Sequence, residues 1–435
     1  MGSAYRIVRS TVLLLLVATL LPATALAGRT VIHAGRMIDA VSAKVAGETT
    51  IIVQEDRIVG IENGYTTPAE GDTVIDLKDS TVLPGLMDLH THLSMQLSKA
   101  SYNEGFRSNP GDYAFRMVPR AEKTLMAGFT TVRELGDRKN LSISLRNAIA
   151  AGLIPGPRIF SAGKSLATTG GHADPTNSLN AELMGDPGPL QGVVNGVADA
   201  RHAVRQRYKD GADWIKITAT GGVLSEAKNG MNPQFRDDEL QAIIETAADY
   251  GIKVAAHAHG TEGMKRAVLA GVSSVEHGTF MDEEVMKLMV ERGTYLVPTM
   301  MAGETVVHMA EKPGMLPEIV RPKALAIGPQ MKITLGNAYR AGVKIAFGTD
   351  CGVSPHGTNG REFRLMVDAG VPAMAAIESA TRVAAELLDV QDDLGTLQTG
   401  KLADIIAVPG NPMDDITVME RVQFVMKEGT VYKQP

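Results

Sequence analysis

The sequence predicts an α/β chain, a (β/α)8 barrel carrying a small β-sandwich assembled from both termini. Two observations predict it. Through the middle of the chain, eight short strand-like stretches alternate with helical patterns, many closing on glycine, as a parallel α/β architecture requires. Short β-prone runs broken by Gly, Asn and Asp occupy only the two ends.

Taken in order, residues 1–27 read as a secretory leader: Arg6 and Arg9 give a basic start, an apolar run spans Val12 to Leu21, and Ala25-Leu26-Ala27 offers a small-x-small cleavage site. The expected mature protein is therefore exported, to the periplasm or medium. The apolar run is short for a membrane span, and an uncleaved anchor is the alternative. Residues 28–83 follow with TVIHAGRMID, TTIIVQEDRIVGIEN and DTVIDLKDSTVLPG, which read as a small antiparallel sheet or sandwich. The same texture returns in 391–435, in KLADIIAVPG and ERVQFVMKEGTVYK, so the two ends are expected to form one domain.

Between them, 84–390 supplies the candidate strands GLMDLHTH, FTTVRELG, RIFSAG, DWIKITAT, KVAAHAHG, SSVEHGT, TYLVPTM and KIAFGTD. Intervening stretches such as DDELQAIIETAADYG and GTEGMKRAVLAG read as helices. Closure into a barrel is the simplest arrangement, with a doubly wound open sheet as the alternative.

Composition excludes some partners. The formal net charge is −6 and no long basic run is present, which gives nucleic-acid binding no support. Cys351 is the only cysteine, so no intrachain disulfide can form.

In a barrel the active site lies at the C-terminal strand ends. There the polar residues fall: His90 and His92 on the first strand, Lys216 in the fourth, His257 and His259 on the fifth, His277 on the sixth and Asp350 on the eighth. His90 and His92, two apart on a strand, share a face and can share a metal ion, or they are ordinary polar residues at a strand end. Core packing explains so many buried polar groups poorly, because each is costly unless paired or metal-bound. His33, His202, His308 and His356 read as surface or packing residues. Cys351 has no activating base beside it and does not read as a nucleophile.

The ordered motifs LPGLMDLHTHL, DWIKITATGG, VAAHAHG, SVEHGT and FGTD, followed by TGKLADIIAV, resemble the metal-dependent amidohydrolase superfamily. Within it, the chain is similar to the prolidase-like and carboxypeptidase-like branch that includes ochratoxin-degrading amidohydrolases. The resemblance spans nearly all of the chain after the leader and implies a distorted (β/α)8 TIM barrel with a terminal β-sandwich. It also implies two divalent ions, with zinc the leading choice among Zn²⁺, Mn²⁺, Co²⁺ and Fe²⁺. His90, His92 and Asp350 are implied to hold one ion, and His257 and His277 the other. Lys216 is implied to bridge them as an N-carboxylated lysine, since an ammonium has only donors.

The implied reaction is attack on an amide by a hydroxide held between the ions, with Asp350 as general acid/base. Implied substrates join an acyl group to a C-terminal amino acid: N-acyl amino acids, dipeptides such as Xaa-Pro, and ochratoxin A, which would yield phenylalanine and ochratoxin alpha. His172, His259, Ser94, Val223 and Leu224 are expected to contact the substrate, and family habit implies a homo-oligomer. The rivals are a lactonase, phosphotriesterase or cyclic-amide hydrolase on the same scaffold, or a non-catalytic scaffold protein.

Overall fold

In the computed structural model, which describes residues 28–137, 139–228 and 230–435, the apolar runs at the two ends of the chain meet in one eight-stranded sheet. Thr30–Ile38, Thr49–Gln54, Arg57–Asn63 and Thr73–Pro84 come from the first end, with the two-residue Val45–Ala46 pairing the first of them. Ile405–Pro409, Phe424–Lys427 and Thr430–Lys433 come from the other. Thr73–Pro84 is the join: it pairs with Thr30–Ile38 along one edge and with Ile405–Pro409 along the other. The sheet is tied at its Arg57–Asn63 edge to the segment leading into Ile405–Pro409, where Ile58 N donates to Lys401 O (2.9 Å) and Gly400 N to Ile58 O (2.7 Å). It encloses Ile32, Ile51, Val53, Leu77, Ile405 and Phe424.

One pairing departs from the expected antiparallel sheet. Thr30–Ile38 and Thr73–Pro84 run parallel, and the hairpin of Thr49–Gln54 and Arg57–Asn63 lies between them in sequence. A parallel pair needs a long connection, and here a hairpin takes the place of the usual helix. The leader expected over residues 1–27 lies outside the described residues. Among the described residues no helix is long and apolar enough to cross a membrane.

The middle of the chain forms two parallel sheets. Leu86–Thr91, Phe129–Glu134 and Arg158–Ser161 make one; Trp214–Thr218, Lys253–Ala258, Ser274–His277 and Tyr295–Val297 make the other. Backbone hydrogen bonds close these into a ring. On one side Leu166 N donates to Lys216 O (2.8 Å) and Thr218 N to Leu166 O (3.0 Å). On the other, the eighth segment bridges the gap: Leu296 N donates to Lys344 O (2.8 Å), Leu89 N to Phe347 O (2.9 Å) and Asp350 N to His90 O (2.7 Å).

That eighth segment, KIAFGTD, is expected as a strand and does not form one; it holds a single bridge, Leu296 to Ile345. Close approach explains part of this. A Cβ on Gly348 would lie 3.0 Å from the Cβ of His90, so only glycine lets the segment pass this close to the first strand. Asp88 fastens the contact, its buried carboxylate accepting from Thr349 N (3.0 Å), Thr349 Oγ1 (2.6 Å) and Asn359 Nδ2 (2.7 Å).

Strand periodicity sorts the side chains. In Trp214–Thr218, Ile215 and Ile217 pack into the large core shared with helices Val197–Asp210 and Asp237–Asp249. The alternate residues Trp214, Lys216 and Thr218 must face the other way. Both predicted helices form, as Asp237–Asp249 and Thr261–Ala270, and the second ends on Gly271 at φ 110°, a left-handed stop that glycine adopts without strain.

Candidate metal centre

The ring of strands brings His90, His92, Lys216, His257, His259, His277 and Asp350 to one cavity of about 300 Å³. Ligand-capable atoms of His90, His277 and Asp350 all lie within 4.8 Å of one another, and so do those of His257, His259 and His277. His277 therefore belongs to both groups. His92 Nε2 stands 3.3 Å from Asp350 Oδ1, and His90 Nε2 stands 3.7 Å from the same oxygen. His259, expected to back a metal ligand or to contact substrate, is as buried as His257.

Each ring is aimed by a partner behind it. His90 Nδ1 donates to Glu276 Oε2 (2.8 Å) and His92 Nδ1 to Gly136 O (2.9 Å). His277 Nδ1 hydrogen-bonds Thr299 Oγ1 (2.7 Å) and His259 Nδ1 bonds Thr279 Oγ1 (2.8 Å). In these four the Nε2 atom is the one turned to the cluster. His257 is reversed: its Nε2 donates to Gly221 O (3.1 Å), so Nδ1 is its remaining ring nitrogen. Fixing the far nitrogen sets tautomer and ring orientation, which is how second partners support metal-binding imidazoles.

Glu276 is the residue that sequence reasoning missed. Fully buried, it accepts from His90, from Arg133 NH2 (2.9 Å) and from Ser274 Oγ (2.6 Å). Arg133, also fully buried, stacks on Trp214 with its guanidinium 4.5 Å from the ring centroid and donates to Leu89 O (2.7 Å). The available signal was a charged residue inside a predicted strand, in FTTVRELG and SSVEHGT alike. Glu276 and His277 both serve the site although neighbours on a strand face opposite sides. The backbone resolves this: His277 has φ 70°, and Thr299 (φ 49°) and Asp350 (φ 57°) share that left-handed conformation, which non-glycine residues adopt at a cost.

Electrostatics favour neutral donors. Burial pushes His92 down to about 4, against the pull of the Gly136 carbonyl, and burial followed by Lys216 puts His259 at about 4. Burial also takes His90, His257 and His277 well below the usual imidazole range. All five rings are neutral at pH 7, with a lone pair to offer a cation. Burial lowers Lys216 toward the free amine, opposed by Glu276 and Asp350, and raises Asp350.

This donor set fits divalent cations. Lys216 Nζ and Asp350 Oδ1 are buried and make no hydrogen bond, in an interior where buried polar atoms are normally satisfied. Imidazole nitrogens and a carboxylate gathered in this way could hold a metal ion.

Residues 81–432 match the amidohydrolase family. The chain belongs to that family. Among curated relatives, the amidohydrolase is 32% identical over 426 residues to the ochratoxinase of Aspergillus niger, covering 93% of this chain and 87% of that protein. Among solved structures it is similar to a Xaa-Pro dipeptidase with methionine bound in its active site, at 53% identity and a TM-score of 0.91 over 93% of this chain and all of that one. It is also similar to a prolidase complexed with N-methylphosphonate-L-proline, at 32% identity and a TM-score of 0.85 over 94% of this chain and all of that one.

The remaining expected substrate residues of the amidohydrolase also line the cavity: Ser94, His172, Val223 and Leu224. His172 lies over His257 with ring centroids 4.4 Å apart, and its Nδ1 is 2.5 Å from Ser225 Oγ. A Cβ on Gly222 would fall 2.2 Å from that ring, so only glycine leaves room for it. Lys323 pins the same loop by donating to the carbonyls of Gly222 (3.2 Å), Ser225 (2.7 Å) and Ala227 (2.9 Å). The other histidines lie apart from the cluster. His33 bonds Thr66 O (3.0 Å) and His356 bonds Met95 O (2.9 Å), both as packed residues, whereas His202 and His308 are exposed.

Proposed function

We propose that this amidohydrolase cleaves the amide between an acyl group and a C-terminal amino acid: N-acyl amino acids, dipeptides such as Xaa-Pro, and ochratoxin A with release of phenylalanine. The observation that carries the proposal is the cluster itself, in which Lys216 Nζ and Asp350 Oδ1 are buried without hydrogen bonds among neutral imidazoles at the wall of a substrate-sized cavity. The relatives support the bond type, since their names and ligands are those of ochratoxin, Xaa-Pro and proline chemistry.

In this reading His90, His92 and Asp350 would hold one cation and His257 and His277 a second, with Lys216, as a carbamate, able to serve both. Its neutral amine would add CO₂ and release a proton, giving a two-oxygen ligand where the ammonium offers only donors. Zinc is the first choice. Bound cations of this kind polarise a carbonyl and lower the pKa of water toward neutrality.

The protein's own groups do the rest. Asp350 accepts the proton of the attacking water and passes it to the leaving nitrogen, which an amide requires because an amine leaves poorly unprotonated. Glu276 holds His90 in the tautomer that presents Nε2. Apolar side chains that line the same cavity, Leu224, Val306, Ile327 and Met331, receive an apolar part of the substrate.

A substrate panel tests this reading. Zinc-loaded protein is expected to release free amino acid from N-acyl amino acids and Xaa-Pro dipeptides in preference to turning over lactones, phosphotriesters or cyclic amides. Turnover confined to the latter three classes overturns it.

A further inference from the structure

We infer that Lys164 binds the free carboxylate of the substrate and so makes a C-terminal amino acid the preferred leaving group. The inference rests on the amide-hydrolase reading above and adds the residue that selects among amides. A substrate carboxylate entering a partly closed cavity needs a cation or several donors to replace its water. Apart from Lys216 in the metal cluster, Lys164 is the only lysine or arginine among the described residues that line the cavity.

Its position suits the task. Lys164 Nζ donates to the carbonyl of Ala173 (3.0 Å), the residue after His172. His172 in turn lies over the ring of His257. A continuous series of contacts thus runs from the Lys164 ammonium to the cluster. The backbone of Lys164 is fixed too, its carbonyl accepting from Arg207 NH1 (3.2 Å), and Arg207 is buried. Burial pushes the carboxyl of Asp137, on the same wall, upward, and the Lys164 charge works against that push; Asp137 accepts from Asn140 N (3.1 Å) and Ser142 Oγ (2.5 Å) at the start of helix Leu141–Ala150. The apolar side chains lining the cavity have no charge to offer an anion.

The test compares kcat/KM for an N-acyl amino acid and for its C-terminal primary amide, using metal-loaded wild type, Lys164→Met and Lys164→Arg. Wild type is expected to prefer the free acid. In Lys164→Met the loss on the free acid exceeds the loss on the amide by about tenfold or more, chiefly through KM, the size expected for a lost charge-assisted hydrogen bond. Lys164→Arg keeps most of the preference. Equal losses on both substrates in Lys164→Met, or no loss on either, overturn the inference. A wild type that cleaves both substrates equally overturns it while leaving amide hydrolysis in place. A wild type inert on every amide overturns the underlying reading and this inference with it.

Discussion

Asp350→Asn is expected to lower kcat on an N-acyl amino acid by about 10²- to 10⁴-fold, the range that a positioned acid–base group supplies. Asparagine matches the aspartate in shape but cannot take up and return a proton. The variant should fold normally. Asp350 holds a left-handed backbone (φ 57°), fixed by Asp350 N donating to His90 O (2.7 Å) and Val353 N donating to Asp350 O (3.0 Å), and asparagine tolerates that conformation better than most residues. Measuring metal content beside kcat separates two causes of loss. A variant that keeps its metal and loses kcat supports proton transfer by Asp350; one that keeps both metal and kcat removes Asp350 from the chemistry.

The second large effect is expected at Lys216. Lys216→Met should lower bound metal from about two ions per chain to one or fewer. Activity should fall by more than about 100-fold, beyond the loss typical of residues one step behind the ligands. The competing arrangement is an ammonium paired with Asp350. If that held, methionine would strand a buried carboxylate and destabilise the fold by about 3–5 kcal/mol, with metal content unchanged. The carbamate also predicts that metal loading of the wild type is poor in CO₂-depleted buffer and recovers on adding bicarbonate. Loading indifferent to bicarbonate would favour the ion pair.

Much of this centre was legible in the sequence, for physical reasons. Lys216 stands out because Trp214, Ile215 and Ile217 around it are apolar and buried. His90, His92, His257, His277 and Asp350 stand out because each ends an apolar run, and a barrel gathers strand ends at one mouth. What could not be read depends on closure. Glu276 and Arg133 meet because Phe129–Glu134 and Ser274–His277 face each other across the ring, a pairing that no local pattern contains. The positive φ of His277 and Thr299 was hidden because neither is glycine. In the terminal sheet, the runs were visible, but the parallel pairing of Thr30–Ile38 with Thr73–Pro84 depends on the hairpin between them being set aside as a crossover. KIAFGTD has the composition of a strand, and its packing against the first strand leaves it a single bridge.

The central claim is that these donors hold catalytic metal. The direct measurement is amino-acid release from one N-acyl amino acid by the same preparation before stripping, after exhaustive chelation, and after zinc is returned, with bound metal quantified at each stage. Activity should disappear as the metal leaves and return as it is restored. Undiminished release from protein verified to be free of metal would contradict the account.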